Sequence, residues 1–265
     1  MSQADANVLR SASRRNLSWG EELMSLIRLI PAAFILFMPG PALAQEWIEY
    51  TSRVDRFSVN FPSQPKVQDI QYKTFMDGVF PARIYSVEVP PSRYYAGTSR
   101  YSVTVVDYTD AERIHTERAK TCNPDAQTTC VGNIAQQGAG AWKYDVRGAM
   151  DWASEQFLKR DAKVTLFVWA VIDLIEGRQI HLTNADRSRT FAGIHMHENR
   201  LYIFEATVPP GAPEPLIFHQ SPRFLDADGR NVRYATIYTN GFPAPPRVGG
   251  GGQQGQAGGP QGRAQ

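Results

Sequence analysis

Alternating apolar and polar positions predict strands in the first half of the chain. Residues 57–61, Phe-Ser-Val-Asn-Phe, alternate strictly, which is typical of a strand with one buried face. Residues 101–108 are rich in β-branched and aromatic side chains, a composition that favours a central strand. Weaker patterns of the same kind predict further strands at residues 47–51, 68–75 and 83–89.

Helical periodicity follows in the middle of the chain. Thr109 or Asp110 is a suitable N-cap for a helix that runs to about Lys120. A second helix is predicted to start at about residue 141 or 146 and to end near Arg160. Its apolar side chains recur at helical spacing: Val146, Ala149, Met150, Ala153 and Phe157.

The last third of the chain is strand-rich again. Residues 164–173 are almost continuously apolar, so they are predicted to form a strand that is buried on both faces. Strands at residues 178–183, 190–197 and 200–208 follow, joined by short turns, and Asp228-Gly229 predicts a final hairpin. Short turns join antiparallel strands. We therefore predict an α+β sandwich, in which an antiparallel β-sheet meander is flanked by two main helices.

The N-terminal segment has the pattern of an export signal. The apolar run at residues 29–38 is too short to span a bilayer. Residues 42–44, Ala-Leu-Ala, form a small-x-small cleavage site, so residues 1–44 are predicted to be a signal peptide and Gln45 the first mature residue. Because the stretch before Met24 is polar and acidic, translation is expected to start at Met24. The alternative is a buried helix or a membrane anchor.

The rest of the chain is predicted to be one domain with a tail. Residues 45–242 form the α+β domain, and residues 243–265 are rich in Pro, Gly and Gln, a composition typical of disorder. After cleavage no apolar run approaches the length of a membrane helix, so a soluble periplasmic or secreted protein without an integral membrane segment is expected. The net charge of +2 over 265 residues gives no electrostatic case for nucleic acid.

Cys122 and Cys130 are the two cysteines of the chain. An exported protein meets an oxidising compartment, so an even number of cysteines predicts a disulfide between them. The turn-rich segment that separates them suits a short closed loop. A redox pair or half of a metal site is the alternative, but the spacing is not Cys-x-x-Cys, and no second cysteine pair exists to complete a zinc site.

Three histidines form the candidate metal site. His195 and His197 are two positions apart on one predicted strand, so their imidazoles share a face. His181 lies on the preceding strand, and if the two strands pair, the three side chains could converge as ligands for zinc or copper. The alternative is a face of polar residues without a cofactor.

Aromatic residues near loops and the second helix form the candidate ligand or partner surface. Tyr94, Tyr95, Trp142 and Tyr144 could line an apolar groove or contact another protein. Packing in the core is the alternative.

No catalytic residue is predicted. The sequence contains no Gly-x-Ser-x-Gly elbow, His-Glu-x-x-His motif or P-loop. Because catalytic groups can also be assembled from distant positions, a secreted hydrolase stays an alternative, with His115 or the three histidines beside a Ser or a carboxylate. A histidine-based metal-binding protein is a further alternative.

Two segments carry a resemblance to a known family. Residues 57–65, Phe-Ser-Val-Asn-Phe-Pro-Ser-Gln-Pro, resemble the opening motif of exported bacterial relatives of the PsbP/Mog1-like fold, and residues 199–209 are similar to the late hairpin of that group. The resemblance implies an α-β-α sandwich and a non-enzymatic binding or assembly role. We therefore expect an exported protein that binds an unidentified protein or small ligand in the periplasm.

Overall fold

Strands dominate the described part of the chain, which comprises residues 47–120 and 141–241 of a computed structural model. The strands are β1 Ile48–Ser52, β2 Phe57–Phe61, β3 Lys66–Lys73, β4 Val79–Val89, β5 Ser99–Asp107, β6 Ala162–Ile172, β7 Ile175–Asn184, β8 Arg189–His197, β9 Arg200–Val208 and β10 Arg223–Phe224. The helices are α1 Ala111–Lys120, α2 Ala141–Leu158 and α3 Leu216–His219. The predicted signal peptide, both cysteines and the predicted tail lie outside the described residues.

Seven strands form the main sheet in the order β3-β4-β5-β9-β8-β7-β6, and every neighbouring pair is antiparallel. The two halves of the chain meet where β5 pairs with β9, from Arg100 opposite Thr207 to Asp107 opposite Arg200. A second sheet has three strands in the order β1-β2-β10. The predicted antiparallel sheet is therefore present, but it consists of two meanders, β3-β4-β5 and β6-β7-β8-β9, and the small sheet is an addition to it.

Each face of the main sheet has its own apolar core. One face packs against α1 and α2 in a helix-side core, which includes Val106, Ala149, Ala153, Ile180, Ile194 and Leu201. The other face packs against the small sheet in a sheet-side core, which includes Phe57, Val59, Phe61, Val103, Tyr202 and Phe204. Strand side chains alternate between faces, so both faces of the central strands are apolar and both need a cover.

The predicted α-β-α sandwich is wrong. The described chain is mostly β, and the two main helices cover only one face of the main sheet. The alternating segment at residues 57–61 pairs with β1 and β10, and this small sheet covers the opposite face where a second helical layer was expected. The sequence pattern identified the strand, but it contained no signal that this strand belongs to a separate sheet.

The strand predicted to be buried on both faces is the edge of the main sheet. It is β6, which within residues 47–120 and 141–241 pairs only with β7, and none of its residues is fully buried. A continuous apolar run is typical of a central strand, and β6 has this composition without a neighbour on its outer side. No helix in the described ranges combines the length and the hydropathy that a membrane crossing requires.

Phe57 connects the two sheets. Its side chain is fully buried, and its ring centroid lies 5.0 Å from that of Tyr85 and 6.3 Å from those of Tyr202 and Phe204, all on the main sheet. We expect Phe57→Ala to lower the free energy of unfolding by about 3–5 kcal/mol, because it removes a buried ring and leaves a cavity. Urea unfolding measures the loss. Val54→Ala is the control, because Val54 is 68% exposed, and equal losses in both variants would contradict this packing.

Candidate functional site

The structure does not bring the three predicted metal ligands together. Strands β7 and β8 pair as expected, and His195 and His197 share a face, but His195 lies opposite Gly177 and His181 lies opposite Phe191. This register separates His181 from the position opposite His195 by four residues, about 13 Å along a strand. Within the described ranges, no three His, Cys, Asp or Glu side chains form a group that could hold a metal ion.

His195 and His197 are part of the packed interior. His195 is almost completely buried, with Nδ1 3.3 Å from the backbone oxygen of Ile175 and 3.2 Å from that of Glu176. Burial lowers the pKa of His195 to about 4, so its ring is neutral at pH 7 and fills the space above Gly177. His197 is buried too, and its Nε2 lies 2.7 Å from the Tyr234 hydroxyl.

The four aromatic residues of the predicted partner surface lie in two separate places. Tyr94 and Tyr95 are in the loop between β4 and β5; Tyr94 is 69% exposed, whereas Tyr95 packs against a small cluster around Phe191. Trp142 and Tyr144 are in the first turns of α2, where Trp142 packs against the helix-side core. Tyr95 and Trp142 therefore belong to different clusters, and the structure does not bring the two pairs together.

His115, the candidate base of the hydrolase alternative, is in a buried polar cluster. Asp145 Oδ2 accepts hydrogen bonds from Thr74 Oγ1 at 2.6 Å and lies 2.8 Å from His115 Nε2. The hydroxyl therefore donates to the carboxylate and not to the imidazole, so Thr74 and His115 are not arranged as a nucleophile and its base. Burial and the Asp145 carboxylate raise the pKa of Tyr72 to about 12, which keeps the neighbouring phenol neutral.

A polar cleft of about 460 Å³ lies between the β1–β2 turn and one end of the main sheet. Its lining residues come from the turn and from strands β3, β4, β5 and β9: Val54, Asp55, Asp69, Ile70, Gln71, Pro81, Ala82, Arg83, Val105, Asp107 and Arg200. These residues are far apart in the sequence and do not form a sequence motif. The cleft could therefore not be predicted from the sequence, because it is the order of the strands in the sheet that brings these positions together.

The turn above the cleft is held by hydrogen bonds to both sheets. The backbone N–H of Asp55 donates to Ser52 Oγ at 3.2 Å, and the Tyr202 hydroxyl donates to the backbone oxygen of Asp55 at 2.9 Å. The Asp55 carboxylate also accepts a short hydrogen bond from the Tyr85 hydroxyl. Burial, followed by this hydrogen bond, raises the pKa of Tyr85. The wall of the cleft is therefore fixed in position.

Arg83 is already occupied by two carboxylates. Its Nη1 donates to Asp55 Oδ1 at 2.8 Å and its Nε donates to Asp69 Oδ1 at 2.9 Å. Burial opposes the charge of the guanidinium, but the attraction of Asp55 and the hydrogen bonds outweigh this effect and raise the pKa of Arg83. Two of the five N–H donors of Arg83 are thus held by carboxylates of the protein.

Arg200, the second arginine of the cleft, is bonded differently from Arg83. Its side chain is only 11% exposed, and its Nε is buried without a hydrogen-bond partner among the residues that the structure describes. The nearest acidic group, Asp107 Oδ2, is 3.9 Å from Nη2, while Asp107 Oδ1 accepts from the backbone N–H and the hydroxyl of Thr109. An unsatisfied buried donor on a charged group is costly. Arg200 is among the residues that line the cleft, so its guanidinium group is the candidate group for binding an acceptor.

A second polar cleft, of about 620 Å³, offers a comparison. It is lined by Arg100 and Arg160 among others, but Arg160 forms two hydrogen bonds with Glu205, at 2.6 and 3.2 Å, and Arg100 donates to Glu88 at 3.0 Å. Its guanidinium groups are therefore bound to carboxylates of the protein itself. The smaller cleft is the better candidate for a ligand site, because Arg200 forms no such hydrogen bond with a carboxylate of the described residues.

The buried histidines predict a loss of stability in mild acid. The pKa values of His195 and His219 are both lowered to about 4, mainly by burial, whereas unfolded histidine titrates near 6.5. As the pH falls from 6.5 towards 4, the unfolded chain takes up these protons first. The free energy of unfolding therefore falls by roughly 1.4 kcal/mol per pH unit for each of the two groups.

Urea unfolding between pH 6 and pH 4.5 measures this slope. His219→Leu removes one titrating group, so we expect its slope to be smaller by about 1.4 kcal/mol per pH unit, whatever its stability at pH 7. Equal slopes in the two proteins would show that His219 titrates normally in the folded state.

No protein-family model matches this sequence, and no curated protein matches it either.

Proposed function

We propose that this chain is an exported, non-enzymatic binding protein of the periplasm, and that the cleft beside Arg200 holds a small ligand that carries a carboxylate. The observation that carries this proposal is the buried Nε of Arg200 without an acceptor, on the wall of a cleft of about 460 Å³. Clefts of a few hundred Å³ accommodate small molecules. Export rests on the apolar run and the Ala-Leu-Ala site at residues 29–44.

The geometry of the guanidinium group favours a carboxylate. Arginine offers parallel N–H donors in a planar fork that matches the two oxygens of a carboxylate. In this cleft Nε lacks an acceptor, and Nη2 has only Asp107 at 3.9 Å. A ligand carboxylate could accept from both nitrogens, whereas the protein provides neither with a close partner among its acidic groups.

The other charges of the cleft favour a zwitterion over a simple anion. Asp55, Asp69 and Asp107 face two arginines, Arg83 and Arg200, so the lining has an excess of one negative charge. A simple anion would raise this excess to two, whereas a zwitterion leaves it at one, because its ammonium group, near Asp69 or Asp107, offsets its carboxylate. The apolar part of the lining, which includes Ile70, Pro81 and Val105, suits a short aliphatic side chain. A small aliphatic amino acid combines these three features.

The resemblance of residues 57–65 and 199–209 to exported PsbP/Mog1-like proteins is a second support for a binding role. It supports the class of function only, because the α-β-α sandwich that it implied is not the fold of this chain.

Three matched probes test the ligand class: L-valine, 3-methylbutanoate, which lacks the ammonium group, and isobutylamine, which lacks the carboxylate. We expect L-valine to bind most tightly, 3-methylbutanoate more weakly and isobutylamine not measurably, as followed by isothermal titration calorimetry. Arg200→Gln is expected to weaken the binding of L-valine at least tenfold, because a charge-assisted hydrogen bond contributes about 1.5–3 kcal/mol.

Arg160→Gln is the matched control, since Arg160 lies in the second cleft and is already bound to Glu205. L-Valine affinity should be unchanged in this variant. The proposal fails if none of the probes binds, or if Arg200→Gln binds L-valine as well as the unmodified protein does.

Export has its own test. We expect the protein purified from the periplasm to begin at Gln45 and to have a mass two hydrogens below that of the reduced chain, because cleavage follows Ala44 and the two cysteines form a disulfide. Intact-mass spectrometry measures both.

Loss of expression on mutation of the Met24 codon tests the start site. An uncleaved chain in the cytoplasm would contradict export. The ligand proposal would not be affected, because the calorimetric titration tests it separately.

A further inference from the structure

Strand β6 is an apolar edge strand, and no other described strand pairs with its outer side. It is the last strand of the main sheet, and residues 164–172 contain no charged side chain. Five large apolar side chains are about half exposed: Val164 40%, Phe167 47%, Val168 41%, Trp169 52% and Val171 41%. Since a large aromatic side chain presents about 150–250 Å², the five together expose on the order of 400 Å², as much as the largest patch of a typical monomer.

The opposite edge of the same sheet is protected. Strand β3 carries Lys66, Asp69 and Lys73 along eight residues, with Gln68 and Gln71 between them. Charged and polar side chains on an edge strand discourage pairing with another chain. The sheet therefore has one edge that resists the addition of a strand and one edge that invites it.

Four of the five exposed side chains of β6, those of Val164, Phe167, Trp169 and Val171, form a stripe on one face. Phe167 lies opposite Ile180 of β7, and Ile180 belongs to the helix-side core. Residues opposite each other in a pair of strands share a face, so Phe167 and, two positions on, Trp169 lie on the helix side of the sheet. Val164 lies opposite Leu182, which belongs to the same core. The stripe thus continues the apolar face beyond α2.

We propose that a second copy of this chain pairs with β6 through its own β6, antiparallel and across a two-fold axis at Val168. An antiparallel strand can pair with an identical strand about such an axis, with the same patch on both copies. The proposal is independent of the cleft, because none of the cleft-lining residues lies on β6.

The sequence of β6 selects the position of the axis. With the axis at Val168, Phe167 lies opposite the partner's Trp169, and the symmetry forms the same aromatic pair a second time. Lys163, the charged residue of β6, comes to the end of the ladder beside the partner's Asp173, which directly follows the strand. An axis at Phe167 or Trp169 would pair that residue with itself and would leave Lys163 opposite an apolar residue.

The size of the stripe sets the strength of the dimer. A standard interface buries about 800 Å² on each partner, and the apolar stripe supplies roughly half of this area. The outward-facing backbone groups of an eleven-residue strand supply hydrogen bonds in addition. We therefore expect a dimer that dissociates on dilution, with a dissociation constant in the micromolar range.

Sedimentation velocity of the mature protein tests the dimer. We expect the sedimentation coefficient to rise from the monomer value to the dimer value as the concentration increases through the micromolar range. Trp169→Lys should keep the protein monomeric throughout, and Phe167→Lys should act in the same way. Both side chains are about half exposed, so circular dichroism should show an unchanged fold. Val67→Lys is the matched control, because Val67 is 50% exposed on the protected strand β3.

Cysteine cross-linking tests the axis. Residues 168 of the two copies would face each other with Cα atoms about 4.5–5.5 Å apart, within the range of a disulfide. Ala170 lies on the same face of β6, but the two copies of residue 170 would be about 13 Å apart along the strands. On a non-reducing gel we expect Val168→Cys to form a covalent dimer, and Ala170→Cys to form no more dimer than the unmodified protein, which controls for Cys122 and Cys130.

A protein that stays monomeric at every concentration would overturn the proposal. A monomer that is purified with a different protein bound to β6 would overturn it as well. A dimer that survives Trp169→Lys would place the interface elsewhere and overturn it too. Faster cross-linking of Ala170→Cys than of Val168→Cys would overturn the axis at Val168.

Discussion

The pairing of β5 with β9 is the contact on which the rest of the structure depends. It joins strands from the two halves of the chain along eight residue pairs, from Arg100–Thr207 to Asp107–Arg200. Strands β4 and β3 extend the main sheet from β5 in one direction, and β8, β7 and β6 extend it from β9 in the other. Because the second half is added in reverse order, its first strand, β6, becomes the outer edge.

The same pairing builds the cleft. Asp107 and Arg200 are cross-strand neighbours at one end of the β5–β9 ladder, and Tyr202, two positions along β9, binds the backbone of Asp55 in the turn above. The small sheet covers the middle of this face, and the turn between its first two strands bridges the end where the charged residues lie. The apolar core between the two sheets thus gives way to a polar cleft at the end of the main sheet, where the strands of the small sheet end.

Local patterns in the sequence predicted individual strands but not their neighbours. The alternation at residues 57–61 correctly identified a strand with a buried face, yet nothing local indicated that it would pair with β10 in a second sheet. The apolar run of β6 has the composition of a central strand, and only the sheet order shows that it is an edge. His195 and His197 share a face as the period of a strand requires, but the register of β7 against β8 separates them from His181. Arg200 gave no signal, because its role depends on what Asp107 and the turn around Asp55 leave unbonded.

The most direct measurement of the central claim is the ¹⁵N resonance of the Arg200 side-chain Nε–H. Its signal is assigned by its loss in Arg200→Gln, and it is followed by NMR as L-valine is added. We expect this signal to move to a hydrogen-bonded position as the cleft fills, whereas the Nε–H signal of Arg83, which is already bonded to Asp69, stays in place. An Arg200 signal that does not respond while L-valine binds elsewhere on the protein would contradict the assignment of the cleft.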